Sequence, residues 1–80
     1  MPRLRLFAGA REAAGTGADV VPGATVAQVL DAARARYGPS FAAVLEHCQV
    51  WLNGEPCDGQ APLTDTDEVA VLPPVSGGAI

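Results

Sequence analysis

Residues 62–78 read PLTDTDEVAVLPPVSGG, and this stretch decides the end of the fold. Its middle part, EVAVL, alternates valine with other side chains, as a strand buried on one face does. Pro73 and Pro74 follow at once. Neither proline can donate to a strand ladder, and each favours extended backbone in the residue before it. The stretch therefore predicts a last strand from which the chain leaves without turning into a helix.

The longest helix predicted from the sequence begins after Thr25. Thr25 and Gln28 form the T-x-x-Q pattern of a capping box. Apolar residues then recur at helical spacing, namely Val26, Val29, Leu30, Ala33 and Tyr37. Gly38 and Pro39 are expected to end this helix. The segment SFAAVLEHC, residues 40–48, predicts a short second helix.

Strands are predicted on both sides of these helices. RLRLFA (residues 3–8) and ADVVP (18–22) read as a hairpin joined by a loop that contains Gly9, Gly15 and Gly17. QVWLN (49–53) turns at Asn53–Gly54 into a brief return strand, EPC. The order β-β-α-(short α)-β-β-β predicts an α+β fold, a sheet packed on one long helix. We expect one domain over residues 1–74 and a flexible tail over residues 75–80.

Composition excludes several functional classes. The chain has 80 residues, of which 49% are hydrophobic, and its longest apolar runs are far shorter than the ~20 residues of a membrane span. No secretory signal is visible, so we expect a cytoplasmic protein. The net charge is −4, with five arginines and no lysine. This acidity argues against a nucleic-acid partner and favours a partner with a basic docking surface.

The sequence predicts no metal site. His47 is the sole histidine, and it is followed by Cys48. No second group of cysteine or histidine residues stands at the spacing of a zinc site. The turn at Asn53–Gly54 places Cys57 opposite Val50 rather than opposite Cys48. We therefore expect two unpaired thiols.

Strict alternation places an apolar set on the far side of the sheet. If the leucines and valines of the three main strands face the helix, then Phe7, Trp51 and Leu72 face away from it, beside Arg3 and Arg5. A contiguous apolar group of this kind indicates a docking surface. The alternative is that loops or strand twist cover these side chains.

The tail after the prolines also allows two interpretations. At about 3.3–3.6 Å per residue, residues 75–78 could project on the order of 13 Å from the domain. Ser76, Gly77 and Gly78 have almost no side-chain bulk, so such an arm could enter a narrow channel. Small terminal residues are also typical of frayed ends. Composition alone does not decide between these interpretations.

LFAGAREAAG (residues 6–15), the capped helix, and VWLNGEPCDGQAPLTDTDEVAVLPPVSGG (50–78) together carry a family resemblance. The chain resembles the MoaD/ThiS family of β-grasp, ubiquitin-like sulfur carriers, and in particular the small subunit of molybdopterin synthase. The most specific part is the combination of turn, last strand, Pro-Pro exit and Gly-Gly. The resemblance implies a β-grasp fold with a mixed sheet and an extended C-terminal tail.

The resemblance implies that the chemistry centres on the carboxylate of Gly78, next to Gly77. A ubiquitin-activating-like adenylyltransferase would use ATP to join AMP to this carboxylate, and sulfur would then replace AMP to form a thiocarboxylate. In the molybdopterin branch the tail enters the large synthase subunit and gives its sulfur to a pyranopterin precursor. The carrier itself would hold no permanent cofactor and supply no acid, base or metal.

The family's docking patch can be carried over residue by residue. Phe7, Pro56 and Leu72 match positions of its hydrophobic patch, and the alternation above adds Trp51. The segment Pro73, Pro74, Val75 and Ser76 leads from this patch to the two glycines.

The sequence departs from the family pattern after the second glycine. Ala79 and Ile80 follow Gly78, so the Gly78 carboxyl group lies in a peptide bond. We expect cleavage after Gly78, for example by a zinc protease of the JAMM type. Two alternatives remain open. The sulfur could serve thiamine, cysteine or secondary-metabolite biosynthesis, or the chain could be a ubiquitin-like binding module that never carries sulfur.

Overall fold

The computed structural model describes residues 1–73, which form a mixed sheet and three helices. In chain order the elements are β1 (Arg3–Leu6), α1 (Ala8–Ala14), β2 (Ala18–Val20), α2 (Val26–Tyr37), α3 (Pro39–Leu45), β3 (Gln49–Leu52), β4 (Glu55–Pro56) and β5 (Glu68–Leu72). The strand order in the sheet is β2-β1-β5-β3-β4. The central strand β5 runs parallel to its neighbour β1, and every other neighbouring pair is antiparallel. The expected α+β class, with a mixed sheet packed on one long helix, is confirmed.

The core lies between one face of the sheet and the helices. Its fully buried strand residues are Leu4 on β1 and Val69 and Val71 on β5, with Leu6 almost completely buried. Helix α2 contributes Val26, Val29, Leu30 and Ala33, and α3 contributes Phe41 and Leu45. Burying one side chain of this size stabilises the fold by about 1.5–3 kcal/mol. The helical stripe predicted from the sequence is therefore the stripe that meets the sheet.

Helix α2 begins as the capping pattern predicts, with one difference. The Thr25 hydroxyl accepts a hydrogen bond from the Gln28 backbone N–H at 3.2 Å. The Gln28 side-chain oxygen accepts from the N–H of Ala24 at 2.7 Å, one residue before the cap. At the other end, Gly38 has φ 93° and Pro39 is the first residue of α3. The Gly-Pro pair thus ends one helix and starts the next.

The first connection is a helix, not the loop expected from its glycines. Residues Ala8–Ala14 form α1, with Ala10 fully buried in the core. Gly15 ends the helix in the left-handed conformation (φ 79°), and its N–H donates to the Arg11 carbonyl at 2.9 Å. Ala10 and Ala14 lie four residues apart, which places them on one helix face. Strands β1 and β2 still pair antiparallel, so the predicted hairpin is joined through a helix.

Side chains close the β2 edge of the sheet. The Leu6 N–H donates to the Gly17 carbonyl and the Val21 N–H donates to the Pro2 carbonyl, so the residues on either side of β2 bond to the β1 segment. The alternating pattern of an antiparallel pair therefore turns the N–H and C=O groups of Ala18 and Val20 outward. Each of these four groups has a side-chain partner, and the partners come from Thr16, Asp19 and Arg36. A strand whose outward groups are satisfied is a poor template for pairing with another chain.

The cluster at this edge is centred on the Asp19 carboxylate. Asp19 accepts hydrogen bonds from the Tyr37 hydroxyl, from Arg36 Nη1 at 2.8 Å and from the Val20 N–H at 2.7 Å. The bonds from Tyr37 and Arg36 hold the pKa of Asp19 below its ordinary value of 3.8. Burial and the neighbouring Asp19 raise the pKa of Tyr37 to about 12. At neutral pH, Asp19 therefore stays ionised and Tyr37 stays protonated, which are the forms that make this hydrogen bond.

The opposite edge is short and is interrupted by proline. Strand β4 has two residues and ends with Pro56, which has no N–H to offer. Asn53 (φ 51°) and Gly54 (φ 87°) both have positive φ, as a two-residue hairpin turn with this strand twist requires. The Cys57 N–H donates to the Val50 carbonyl at 3.3 Å, and both cysteines are unpaired. The expected placement of Cys57 opposite Val50 is confirmed.

Replacing Gly23 with alanine is expected to destabilise the fold. A Cβ atom at position 23 would lie 2.7 Å from both Val29 Cγ2 and the Val29 backbone nitrogen, so the start of α2 must move. We expect Gly23→Ala to lower the free energy of unfolding by about 1–3 kcal/mol in urea titrations. The matched control is Gly9→Ala, whose Cβ meets Val44 at an ordinary 3.9 Å. Equal stability of the two variants would contradict this account.

Replacing Asp19 with asparagine tests the cluster at the β2 edge. The folded-state pKa of Asp19 is lowered. The ionised Asp19 carboxylate therefore stabilises the fold fully above about pH 4, and this stabilisation is lost as the pH falls through the folded-state pKa. We expect Asp19→Asn to lower the free energy of unfolding by about 1–2 kcal/mol at pH 7. The variant should also lose less stability than the parent on acidification. Asp31→Asn, at an exposed ion pair with Arg34, is the control; an equal effect of this variant would refute the role of Asp19.

Candidate docking face and the exit of the C-terminal segment

The face of the sheet opposite the helices is lined by a continuous row of side chains. The strand registers place Ala18, Arg5, Ala70, Trp51 and Pro56 side by side across all five strands. A second row pairs Leu72 with Gln49. None of these residues is buried. We call this surface the open face.

An apolar patch occupies one half of the open face, and we define it as Phe7, Trp51, Pro56, Ala70 and Leu72. Phe7 is 38% exposed and extended (φ −127°, ψ 149°), so its side chain points away from that of the buried Leu6. Its N–H donates to the Val71 carbonyl at 3.1 Å, which continues the β1–β5 ladder by one residue. Trp51 and Leu72 are half-buried, and Pro56 is exposed. Four of the five predicted docking residues in the described range therefore lie on one face together with Ala70, and the fifth, Pro73, follows Leu72; their role in docking stays a prediction.

Polar neighbours hold the two aromatic rings of the patch. The Arg5 guanidinium lies 5.6 Å from the centre of the Phe7 ring and pairs with Glu68, with Nη1 and Oε2 3.3 Å apart. The Trp51 indole N–H donates to Gln49 Oε1 at 3.2 Å. With its one polar atom satisfied, the indole offers mainly apolar surface to a partner.

The chain leaves the sheet beside this patch. Strand β5 ends at Leu72, next to the end of β1, and the half-buried Pro73 follows. The remaining candidate residues, Pro74, Val75, Ser76, Gly77 and Gly78, lie outside the described residues, as does the expected flexible tail over residues 75–80. The described part of the chain thus shows the start of the exit and not the arm itself.

The two thiols are poor candidates for nucleophilic chemistry. Burial raises the pKa of both Cys48 and Cys57, and for Cys57 the charge of Asp58 adds to this effect. Their Sγ atoms lie 3.3 Å from the Val44 carbonyl and 3.6 Å from the Val50 carbonyl, respectively. Since the thiolate is the reactive form, both groups are held in their unreactive state at neutral pH.

Residues 1–73 contain neither a metal-binding cluster nor a helix that could span a membrane. No group of three or more histidine, cysteine, aspartate or glutamate side chains there is arranged to hold a metal ion. Among the same residues, no helix has the length and hydrophobicity needed to span a membrane.

Comparisons with known proteins agree with this geometry. The chain matches the model of the ThiS family over residues 4–78. It is 34% identical to SAMP1, the small archaeal modifier protein 1 of Haloferax volcanii, with a TM-score of 0.77; the match covers 95% of this chain and 97% of that chain. A comparison with curated protein sequences found no match.

Two more distant structures share the fold. The putative molybdopterin converting factor subunit 1 of Pyrococcus furiosus is 24% identical, with a TM-score of 0.77 and coverage of 91% of this chain and 95% of that chain. A chain in the BexX/CysO complex of Amycolatopsis orientalis is 22% identical, with a TM-score of 0.80 and coverage of 98% and 100%. The family match spans almost the entire sequence. This chain therefore belongs to the ThiS family of ubiquitin-like sulfur carriers with the β-grasp fold.

Proposed function

We propose that this protein carries sulfur as a thiocarboxylate on Gly78 and donates it to a pyranopterin precursor during molybdopterin biosynthesis. The observation that carries the proposal is the family match, which runs from residue 4 to residue 78 and ends on the second glycine. The open face supports it, because an apolar patch lies beside the point where the chain leaves the sheet. The fold shared with the Pyrococcus converting factor subunit is consistent with the molybdopterin branch.

The proposed chemistry needs activation because a carboxylate is a poor acyl donor at neutral pH. The Gly78 carboxylate attacks the α-phosphate of ATP on an adenylyltransferase, and pyrophosphate leaves. A persulfide sulfur of a donor protein then attacks the acyl adenylate, and AMP leaves. Cleavage of the resulting acyl disulfide by a thiol releases the thiocarboxylate. ATP is bound by the activating partner, and this chain keeps no cofactor.

In this proposal the folded domain supplies binding, while the partners supply acids, bases and metals. The apolar patch docks first on the adenylyltransferase and later on the large subunit of molybdopterin synthase. Each partner then receives the segment after Pro73 in its active site. Neither nucleic acid nor membrane is part of this scheme, and its use of ATP agrees with a cytoplasmic setting.

The proposed chemistry requires a free carboxylate, and Ala79 and Ile80 follow Gly78 in the sequence. Hydrolysis of the bond after Gly78 is therefore part of the proposal, with a zinc metalloprotease of the JAMM type as the candidate enzyme. The released Gly78 carboxylate then enters the adenylation step.

A second candidate function shares the Gly78 chemistry and differs in the acceptor. The 34% identity to a small archaeal modifier protein favours a role in which Gly78 is transferred to a protein. Sulfur transfer to thiamine, cysteine or secondary metabolites is a further branch that uses the same Gly78 chemistry. A ubiquitin-like module that only binds would lack activation of Gly78 altogether.

Intact-mass measurement tests the activation step. We expect a chain ending at Gly78, incubated with ATP, the adenylyltransferase and a persulfide donor, to gain the mass of one sulfur-for-oxygen exchange. The chain that retains Ala79–Ile80 should remain unchanged until a protease removes the dipeptide. A chain ending at Gly77 is the control for the position of the carboxylate. Sulfur loading of the chain that retains the dipeptide would refute the need for processing.

Co-purification separates the two acceptors. The molybdopterin proposal predicts that the Gly78-ended chain is recovered with the large synthase subunit and restores molybdopterin formation in extracts that lack the small subunit. Recovery of the chain only in covalent conjugates with other proteins would contradict this proposal and support the modifier function.

Replacing Leu72 with aspartate tests the docking patch. Leu72 is half-buried at the end of β5, so a carboxylate there can reach solvent in the free protein but would be desolvated in the complex. We expect binding to the adenylyltransferase to weaken at least about tenfold, which corresponds to about 1.4 kcal/mol. Trp51 fluorescence should report binding in the parent chain. Ala43→Asp, on the exposed side of α3, is the control and should bind normally; equal losses would place the docking surface elsewhere.

A further inference from the structure

The half of the open face next to the apolar patch forms a cavity lined by arginine. Its volume is about 670 Å³, and Arg3, Arg5, Arg11, Glu68 and the β2 residues Ala18–Val20 form its walls. We call it the arginine cavity. Arg3 and Arg5 lie on the open face of β1, and Arg11 reaches in from α1. The Arg11 side chain lies directly over Gly17, where the glycine leaves room for it, with Nε 3.3 Å from the position that a Cβ would take.

The arginine cavity is locally positive in a chain whose net charge is −4. Arg5 is paired with Glu68, and Asp19 is paired on the helix side with Arg36. Within residues 1–73, Arg3 and Arg11 have no ion-pair partner, whereas Arg34 is paired with Asp31. Two uncompensated guanidinium groups therefore line one cavity.

The chemistry of the walls selects the kind of ligand. Backbone N–H groups of β2 are not available to an anion, because Thr16 and Asp19 already accept from Ala18 and Val20. Recognition must therefore come from guanidinium groups, which bind carboxylates through two parallel hydrogen bonds. Guanidinium groups also bind phosphate, so binding of inorganic phosphate is an outcome of the test below.

The spacing of the arginines selects the shape of the ligand. Arg3 and Arg5 are two residues apart on one strand, so their Cα atoms are separated by about 6.5–7 Å. Alternate residues of an extended peptide have the same spacing. Pairing of that peptide with the β2 edge is disfavoured because side chains already satisfy the edge.

We propose that the arginine cavity binds an extended segment of a partner protein that carries acidic side chains at alternating positions, one of which meets Arg3 while the next competes with the exposed Glu68 for Arg5. Arg3 and Arg11 supply the free charges, and Arg5 connects this surface to the apolar patch through its contact with Phe7. The acidic segment of a partner that covers the apolar patch would thus fix the orientation of that partner on the open face. The inference concerns binding alone and does not depend on the fate of Gly78.

A nuclear magnetic resonance titration tests the inference. The probe is an acetylated and amidated peptide, Glu-Ser-Glu-Ser-Glu, added to the isotope-labelled full chain at low salt. We expect amide shifts confined to β1, β2 and α1, which decrease when the ionic strength is raised to about 0.3 M. Arg3→Gln and Arg11→Gln should each weaken binding about two- to fivefold. Arg34→Gln is the matched control and should leave binding unchanged.

Three results would overturn the inference. The first is the absence of shifts, or equal shifts with the peptide Gln-Ser-Gln-Ser-Gln. The second is an equal loss of binding in Arg34→Gln, which would indicate a general charge effect. The third is displacement of the peptide by inorganic phosphate at matched ionic strength, which would make the cavity a small-anion site. The amide spectra of the variants report folding directly, and Arg3→Lys, which keeps the charge, should bind with intermediate strength.

Discussion

The parallel pairing of β1 with β5 is the constraint on which the rest of the structure depends. It joins residues more than sixty positions apart, with Leu4 opposite Val69 and Leu6 opposite Val71. These four residues form the centre of the buried face, against which α2 and α3 pack. The same register places Arg5 and Ala70 together on the open face. One pairing therefore creates the core and the open face, and it brings the exit of the chain next to Phe7.

The sheet has two faces and two edges, and they differ in how they are covered. Helices cover one face. At the β2 edge, the side chains of Thr16, Asp19 and Arg36 bond the outward backbone groups. At the β4 edge, the strand has only two residues, and Pro56 has no N–H for pairing. Among the described residues, the open face is the sheet surface without such cover. A partner can therefore approach the sheet most readily through this face, which is where the apolar patch and the arginine cavity lie.

Much of this arrangement could be predicted from the sequence because local patterns decide it. Alternation in RLRLFA and EVAVL identified the buried and open sides of β1 and β5, and Thr25 and Gln28 identified the start of α2. Helix α1 was missed because Gly9 and Gly15 suggested a loop. The four-residue spacing of Ala10 and Ala14 and the position of Gly15 as a C-terminal cap were the available signals. The arginine cavity could not be predicted, because it depends on the path of Arg11 over Gly17, and Arg11 lies on α1, the helix that was predicted as a loop.

The composition of the open face is consistent with a carrier that must bind successive partners and leave each of them. Phe7, Trp51 and Leu72 are not fully exposed, since Arg5 lies over the Phe7 ring and Gln49 holds the indole N–H. Part of the hydrophobic driving force is therefore already used within the free protein, which limits both self-association and the affinity of each complex. Charged groups at the margin of such a surface mainly accelerate and orient encounter. For the proposed partners, an apolar patch of moderate affinity beside a positive cavity thus allows fast and specific binding while each complex can still dissociate.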